Sequence, residues 1–328
     1  MSAPAPFTLR AARPEDGEAV AAMCAELSRH EGNAEPTISA AVFRRDGFGA
    51  SPAFRCILAE LADGAPVGYA MYVPDYDTDL LCRSTYVADL YVDSRARRCG
   101  IGRALMAAVA RTSRDSGSQM LWWGVLRGND MARSFYRTLG RELPDDIECG
   151  AEGDAFDRLA ATPAPAGIAL RPATVADVDA IARMLRALLD GEGIVPPASA
   201  LADRLAADGF GRDPAFACHV AERDGAAIGY ALHWPTYDTA PGASGVYLSD
   251  LYVVPEARRG GVARALLAAA ARHGQALGAR YIEWKVRRDN AAARAFYATV
   301  AQEYPEVLAV YATGDRFEDL AAAGAVIA

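Results

Sequence analysis

The sequence lacks the features that would place a protein in a membrane or direct it out of the cell. No uninterrupted apolar run reaches about 18 residues, so no membrane-spanning helix is expected. The N-terminal stretch MSAPAPFTLR has neither the basic nor the apolar region of a secretory signal peptide. We therefore predict a cytoplasmic protein with no membrane partner.

Cysteine and histidine are few and scattered, which disfavours both a disulfide framework and a metal centre. The six cysteines include no CxxC pair, and the four histidines show no ligand spacing. We predict reduced thiols and no metal at these positions, which are Cys24, Cys56, Cys82, Cys99, Cys149, Cys218, His30, His219, His233 and His273.

The charge balance and the length narrow the class of protein further. The formal net charge of −8 argues against a nucleic-acid partner and is compatible with a small cationic substrate. The length of 328 residues favours two domains over one.

What the sequence does contain is a repeat whose unit is a whole domain. VGYAMYVPDYDT from Val67 pairs with IGYALHWPTYDT from Ile228, and DLYV occurs at Asp89 and again at Asp250. Corresponding residues lie 161 positions apart through most of the chain. Because the Pro/Ala-rich stretch AATPAPAG separates the copies, we predict domains over 1–160 and 168–328 and a linker over 161–167.

Each copy has the pattern of a domain that mixes strands and helices. In the first copy we predict strands over 8–10, 54–60, 67–73, 86–93, 121–126 and 156–159, and helices over 14–27, 102–116 and 130–139. The second copy repeats this order. The pattern predicts an α/β fold with a mixed sheet, α+β in character.

Each copy also carries an arginine- and glycine-rich turn between a strand and a helix. The turns read RRCGIG from Arg97 and RRGGVA from Arg258. Small residues let a backbone approach a ligand closely, and the free N–H groups at a helix start favour phosphate oxygens. The spacing fits neither a P-loop nor a dinucleotide fingerprint. A helix start with solvated arginines is the alternative, and the presence of two matching copies weakens it.

Together these motifs resemble the GNAT superfamily of N-acetyltransferases. The shared pattern is DLYV, then Arg-x-x-Gly-x-Gly/Ala, a helix, a Trp-containing strand and N-x-x-A-x-x-F-Y. The segments DGFG, GYA and YDT further resemble the diamine (spermidine/spermine) N-acetyltransferase branch. The resemblance implies two tandem GNAT (acyl-CoA N-acyltransferase) domains that pack as an intramolecular pseudo-dimer. It implies acetyl-CoA as cofactor and leaves further homo-oligomerisation open.

A coenzyme site in each copy follows from this resemblance. Main-chain groups of Leu90, Val92, Leu251 and Val253 would pair with the pantetheine arm. The pyrophosphate would lie on the N–H groups of Arg97, Arg98, Cys99, Gly100, Ile101 and Gly102, and of Arg258, Arg259, Gly260, Gly261, Val262 and Ala263. Asn129 and Asn290 would contact the coenzyme's arm, and helix capping is the alternative role for both.

The resemblance also implies a general acid, which is Tyr136 in the first copy and Tyr297 in the second. Transfer from a thioester to an amine expels a thiolate, which a nearby phenol can protonate. A tyrosine that only packs in the core is the alternative for each.

Acidic residues are implied on the acceptor side, because the substrate amine arrives as a cation. The implied contacts are Glu31, Asp77 and Asp154 in the first copy and Glu192, Asp238 and Asp315 in the second, and solvated surface carboxylates are the alternative for any one. The family's usual proton-accepting Glu is replaced by Ala88 and Ser249. Asp89 and Asp250, or a water chain, would then have to accept the proton.

The sequence therefore predicts an enzyme that transfers an acetyl group from acetyl-CoA to a primary amine of a small cationic acceptor, either a polyamine or a diamine-like molecule. The amine would attack directly in a ternary complex. Two alternatives stay open. One copy is catalytic and the other only binds coenzyme or supports the fold, or the protein is a non-catalytic acyl-CoA or amine sensor.

Overall fold

Strands and helices follow one another in the same order in both halves of the chain. The computed structural model describes residues 6–32, 38–194 and 201–327. The strands of the first half are β1 (Phe7–Ala11), β2 (Arg55–Leu61), β3 (Pro66–Asp77), β4 (Cys82–Val92), β5 (Met120–Leu126), β6 (Arg141–Leu143) and β7 (Asp146–Glu152). Its helices are α1 (Gly17–Glu31), α2 (Ala40–Phe48), α3 (Ile101–Asp115), α4 (Asp130–Tyr136) and α5 (Gly153–Ala160).

The second half repeats these elements. Its strands are β8 (Ala169–Pro172), β9 (Ala217–Arg223), β10 (Ala226–Asp238), β11 (Ala243–Val253), β12 (Tyr281–Arg287), β13 (Gln302–Tyr304) and β14 (Val307–Thr313). Its helices are α6 (Val178–Glu192), α7 (Leu201–Phe210), α8 (Val262–Ala276), α9 (Ala291–Tyr297) and α10 (Asp315–Ala322). None of the helices in the described ranges is long and apolar enough to cross a membrane.

The two halves exchange a strand. The described strands form two seven-stranded sheets, in the orders β1-β2-β3-β4-β5-β14-β6 and β13-β7-β12-β11-β10-β9-β8. β14 thus enters the sheet of the first half, where Val310 lies opposite Trp123 of β5. β7 enters the sheet of the second half, where Cys149 lies opposite Trp284 of β12. Each sheet therefore contains an internal strand from the other half.

The helix that follows each exchanged strand also lies on the other half. α5 packs against α8, and α10 packs against α3. Phe317 and Leu320 of α10 complete the core beneath α3, while Ile147 and Phe156 complete the core beneath α8. Neither hydrophobic core is thus built from one half alone.

α3 and α8 lie directly on the sheets because their buried faces are rich in alanine. Ala108 and Ala110 of α3 and Ala268 and Ala270 of α8 are fully buried against strands. Alanine has the highest helix propensity and a side chain short enough for close packing on a sheet. This packing fixes the start of each helix, and with it the glycine-rich turn, relative to the strand before it.

The expected mixed α/β fold with two tandem domains is confirmed, although the last strand was misplaced and α2 and β6 were not predicted. The segment predicted as a last strand at 156–159 belongs to α5, and the last strand is β7. Phe156, Leu159 and Ala160 are buried at helical spacing, which a four-residue window reads equally well as a short strand. α2 was absent from the sequence-based assignment. The boundaries at 160 and 168 divide the sequence repeat, whereas the sheets cross them.

Candidate active site

The central strands of each sheet diverge and leave an open groove. β4 pairs in parallel with β5 at Thr85, Tyr86 and Val87, and the rest of β4 lies beyond the last paired position. On its other side β4 stays paired with β3 as far as Val92. The backbone of Leu90 therefore faces the groove without a strand partner there. An extended ligand can pair with such an exposed edge as an added strand.

The second half forms the same groove. β11 pairs with β12 at Val246 and Tyr247, while its pairing with β10 extends to Val253. The backbone of Leu251 is exposed to this groove in the way that Leu90 is exposed to the first.

A β-bulge lies on each groove-lining strand at the position where the family usually has glutamate. The register of β4 against β3 shifts between Asp89 and Val87, so Ala88 is the extra residue. The register of β11 against β10 shifts in the same way at Ser249. A bulge adds local twist and re-aims the neighbouring side chains, here the aspartate that follows.

The glycine-rich turns adopt a conformation suited to an anion. Arg98 and Gly100 have φ values of 63° and 86°, and Arg259 and Gly261 have φ values of 61° and 80°. Alternating left-handed residues ahead of a helix turn successive N–H groups toward one concavity, where the positive helix end also favours negative charge. All four residues are exposed.

The first arginine of each turn has a structural contact. Arg97 Nε donates to the carbonyl of Val92 at 2.9 Å, and Arg258 Nε donates to the carbonyl of Val253 at 2.9 Å. These bonds tie the turn to the end of the strand. They occupy the carbonyls of Val92 and Val253, two of the main-chain groups expected to face the pantetheine arm.

The two asparagines cap helices, which is the alternative role considered for them in the sequence analysis. Asn129 accepts from the Ala132 N–H at 3.1 Å, and Asn290 accepts from the Ala293 N–H at 3.1 Å. The capping bonds use only the side-chain oxygens, so the amide N–H groups are not consumed by them.

Tyr136 and Tyr297 occupy equivalent places at the ends of α4 and α9. Tyr136 packs 5.3 Å from the ring of Trp123, and Tyr297 packs 4.8 Å from the ring of Trp284. Burial raises the pKa of both phenols, so they keep their protons at neutral pH. Each is therefore available as a proton donor.

Asp250 is buried, with 4 % of its surface exposed, and accepts several hydrogen bonds. Tyr230 Oη donates to Oδ2 at 3.0 Å, and Thr78 Oγ1 donates to Oδ1 at 2.8 Å. Burial raises the pKa of Asp250 to about 6, although these hydrogen bonds oppose the shift. The carboxylate is therefore largely ionised at neutral pH and more basic than an ordinary aspartate.

Asp89 has a similar but less buried environment in the first half. Tyr69 Oη donates to it at 2.8 Å, and the side chain of Thr239 lowers the pKa of its carboxyl. Burial raises the pKa of Asp89. Cys24 Sγ lies 3.0 Å from Tyr69 Oη, a contact that Leu185 replaces in the second half.

A cavity of about 210 Å³ lies beside Asp250 and Tyr297. Carboxylates from both halves line it, namely Asp75, Asp77, Asp79 and Asp146 from the first half and Glu192 and Asp250 from the second. Burial raises the pKa of Asp75 to about 7, and the indole N–H of Trp122 donates to its carboxylate. The cavity therefore favours a cationic ligand.

Comparison with known protein families identifies the family of this chain. The model of the Acetyltransferase (GNAT) family matches residues 14–140 and 183–300, which is more than half of the chain. The chain belongs to the GNAT acetyltransferase family. The family expected from the sequence is confirmed, and the protein is an acyltransferase.

Individual GNAT relatives match either one half or the whole chain. Thialysine N-epsilon-acetyltransferase of Sus scrofa is 35% identical over 164 residues, which cover 46% of this chain and 96% of the relative. Mycothiol acetyltransferase of Streptomyces avermitilis is 30% identical over 310 residues, covering 93% of this chain and 94% of the relative. The solved structure of a tandem GNAT protein from the clavulanic acid biosynthesis pathway is similar in fold, with a TM-score of 0.51, 19% identity and coverage of 95% of this chain and 99% of that one.

The structure corrects how the acidic residues of this GNAT protein are divided between the halves. Asp77 was grouped with Asp89 in the first half, but it lines the cavity of Asp250. Asp238 was grouped with Asp250, but the charge of Asp89 helps to raise its pKa, after the larger effect of burial. The β3–β4 and β10–β11 hairpins each reach across to the other half's site. This crossing cannot be predicted from the repeat, because the repeated sequence does not specify which copy each hairpin contacts.

The remaining predicted acidic residues have different surroundings. Glu192 lines the cavity, and the charge of Glu31 contributes to the raised pKa of Tyr136. Asp154 and Asp315 are exposed at the first turns of α5 and α10, outside the described residues that line the cavity. The structure therefore brings Glu31 and Glu192 to the sites and leaves Asp154 and Asp315 on the surface.

Sequence reasoning missed Lys285, which also lines the cavity. Its Nζ lies 3.2 Å from the ring centroid of Trp122 and 3.1 Å from Tyr311 Oη on the exchanged strand β14. Burial lowers the pKa of Lys285, and the nearby charge of Glu148 opposes the shift. Lys285 is the only lysine among the 328 residues, and its first-half counterpart is Gly124. That rarity was the signal available in the sequence.

Proposed function

We propose that the protein transfers an acetyl group from acetyl-CoA to a primary amine of a small cationic acceptor. The observation that carries this proposal is the cavity in which six carboxylates from both halves converge beside the partly buried Tyr297. Such a cavity stabilises an ammonium group and places it next to a proton donor.

Two features support acetyl-CoA as the acyl donor. The unpaired edges of β4 and β11 suit an extended pantetheine arm, which would pair with the backbone of Leu90 or Leu251. The turns at Gly100 and Gly261 suit a pyrophosphate, because a helix N-terminus and left-handed residues present N–H groups together. Acetyl-CoA supplies the thioester carbonyl that the acceptor amine attacks.

The acceptor amine has to lose a proton before it attacks. A free alkylamine, like lysine, has a pKa of roughly 10, so it reaches the cavity as a cation. Asp250 is suited to receive the proton, because burial raises the pKa of its carboxyl to about 6. Asp89 is suited to the same role in the first half, where burial also raises its pKa.

The proton for the departing sulfur comes from the tyrosine. Tyr297 lines the cavity and keeps its phenolic proton at neutral pH, since burial raises its pKa. A neutral phenol near the sulfur stabilises the thiolate as it forms and then protonates it. Tyr136 has the equivalent position in the first half.

Turnover with acetyl-CoA and a panel of amines tests the proposal. The panel contains a polyamine, a diamine and a lysine-like amino acid, and release of free thiol reports turnover. We expect the double variant Tyr136→Phe/Tyr297→Phe to lower kcat by roughly ten-fold to ten-thousand-fold, the range of a lost general acid, and each single variant to remove only the contribution of its own site. The Kd for acetyl-CoA should change little, because the ring that packs on tryptophan is retained.

Tyr304→Phe is the matched control, since Tyr304 on β13 bonds to Gln302 and lies outside the cavity. Binding of coenzyme and amine without turnover would contradict catalysis and favour a sensor. Wild-type kcat in the double variant would remove tyrosine from the mechanism.

A further inference from the structure

A buried threonine from each half acts on the aspartate that is proposed as proton acceptor in the other half. Thr78 Oγ1, in the turn between β3 and β4, lies 2.8 Å from Asp250 Oδ1, and the two residues are 172 positions apart. Thr239 holds the equivalent position in the turn between β10 and β11, and its side chain lowers the pKa of Asp89. Thr78 and Thr239 are 5 % and 8 % exposed.

Asp250 accepts hydrogen bonds from its own half and from the other half. Tyr230 donates to Oδ2 at 3.0 Å, while Ser249 of the same half and Thr78 of the other half both donate to Oδ1. Tyr69 is the own-half donor for Asp89. A carboxylate has about four lone-pair directions, so these donors fix the orientation of Asp250 and leave acceptor capacity for the substrate amine.

The crossing of the hairpins explains why the donor comes from the other half. Thr78 follows Asp77 in a turn that reaches into the cavity of Asp250, and Thr239 follows Asp238 in the equivalent turn. Both aspartates directly follow a β-bulge, where the strand is less constrained by its neighbours. A second donor from outside the strand restricts rotation of the carboxylate there.

We infer that Thr78 and Thr239 are positioning residues, each of which holds the proton-accepting aspartate of the opposite half in its working orientation. The inference rests on the proposed function, because it gives the aspartates a role in proton transfer. It makes each site incomplete without the other half, and it pairs Tyr297 with Thr78 and Tyr136 with Thr239.

The two sites differ in how strongly they depend on this threonine. Ser249 Oγ donates to Asp250 Oδ1 at 3.3 Å and lies 2.9 Å from Thr78 Oγ1, so this donor stays in place when Thr78 is replaced. Ala88 takes this place in the first half and has no donor. Loss of Thr239 should therefore affect its site more than loss of Thr78 affects the other.

The test measures each threonine variant in chains where one tyrosine has been removed. Tyr136→Phe leaves the Tyr297 site working, and Tyr297→Phe leaves the Tyr136 site working. Thr78→Val should lower kcat/KM for the amine roughly ten-fold or more in the first background, the scale of an impaired general base. Thr239→Val should do so in the second background, and by a larger factor.

The pH profile distinguishes positioning from a merely structural contact. Loss of the Thr78 hydrogen bond should move the acidic limb of kcat/KM in the Tyr297 site to higher pH, because that bond lowers the pKa of Asp250. Thr78→Ser, which restores a hydroxyl, should return the wild-type limb. Thr162→Val in the linker controls for a Thr-to-Val change as such.

The same threonine variant in the two backgrounds also controls for folding. If the Thr78→Val chain keeps the activity of the Tyr136 site, the chain is folded. A loss of activity in the Tyr297 site is then a local effect of the substitution. If one half alone turns over, the essential tyrosine and the essential threonine should still lie in opposite halves. An essential pair in the same half, or unchanged activity in both threonine variants, would overturn the inference alone. Absence of wild-type turnover with every amine would overturn the proposed function and the inference with it.

Discussion

At the scale of single residues, the two halves differ most in buried titratable groups. The second half has three histidines in contact, with His219 Nδ1 3.1 Å from His233 Nε2 and the His273 ring 5.1 Å from that of His233. Ile57, Tyr72 and Thr112 take these positions in the first half. Burial lowers the pKa of all three histidines, that of His219 to about 4.

This cluster makes the free energy of unfolding depend on pH. In the unfolded chain a histidine gains its proton near a pKa of about 6.5, whereas folded His219 stays neutral until about pH 4. Between these values the unfolded state binds more protons, so stability falls as pH falls. Each such histidine contributes a slope of about 1.4 kcal/mol per pH unit.

We expect His219→Ile, which installs the first half's own residue, to remove one of these contributions. The variant should gain stability relative to wild type as pH decreases from about 6.5 toward 4. Urea unfolding at several pH values measures the difference in the free energy of unfolding between the variant and wild type. The buried carboxylates have the opposite pH effect, but they are present in both proteins and drop out of this difference. His30→Ala, at an exposed position on α1, is the control. An equal pH dependence in His219→Ile and wild type would contradict the expectation.

Lys285 is the other residue that separates the halves. It inserts a buried cation among aromatic rings and carboxylates, whereas Gly124 leaves the equivalent position of the first half without a side chain. The surroundings of Asp250 therefore contain a buried cation that the equivalent position of the first half lacks.

At the scale of elements, the glycine-rich turns are the features that the sequence and the structure describe alike. Gly100 and Gly261 have φ values that side-chain-bearing residues rarely adopt, and each directly precedes its helix. A bulky residue there strains the turn and covers the N–H groups that would hold a pyrophosphate.

We expect wild type to bind about two molecules of acetyl-CoA per chain, one at each turn. Gly100→Val and Gly261→Val should each remove one binding event, and the double variant both. Isothermal titration calorimetry measures the stoichiometry. Gly278→Val is the matched control, because Gly278 has a φ of 91° but lies in the turn between α8 and β12. One molecule per wild-type chain would contradict two coenzyme sites.

At the scale of the whole molecule, strand exchange determines whether each half can fold without the other. Without β14 the first half has no partner for the open edge of β5, and without β7 the second half has none for β12. Each half also loses the helix that completes its core. An unpaired internal edge and an uncovered apolar face promote association.

We therefore expect residues 1–164 and 165–328, expressed separately, to melt below the intact chain and to self-associate. Mixing them should form a one-to-one complex with a melting temperature near that of the intact chain, because the exchanged strands again find their partners. Thermal melting and sedimentation velocity measure both effects. Two monomeric halves that melt like the intact chain would contradict a shared fold.

Much of the candidate site could be predicted because its parts are local in sequence. The strand, the turn and the helix start around Gly100 are contiguous, so backbone requirements alone select small residues there. The same holds for the asparagine cap at Asn129 and for Tyr136 one short helix later. The pairing of Thr78 with Asp250 could not be predicted, since the two residues are 172 positions apart and belong to different copies.

The sequence by itself determined the repeat, most of the order of strands and helices, the GNAT family and the glycine-rich turns. These follow from hydrophobic periodicity and turn chemistry, which act over a few neighbouring residues. Only the tertiary structure decided that β7 and β14 change sheets, that Asp77 and Asp238 lie near the aspartates of the opposite halves and that Lys285 lies over Trp122. The repeated sequence supplies two nearly equivalent partners for each strand and hairpin. Long-range packing alone decides between the partner in the same half and the one in the other.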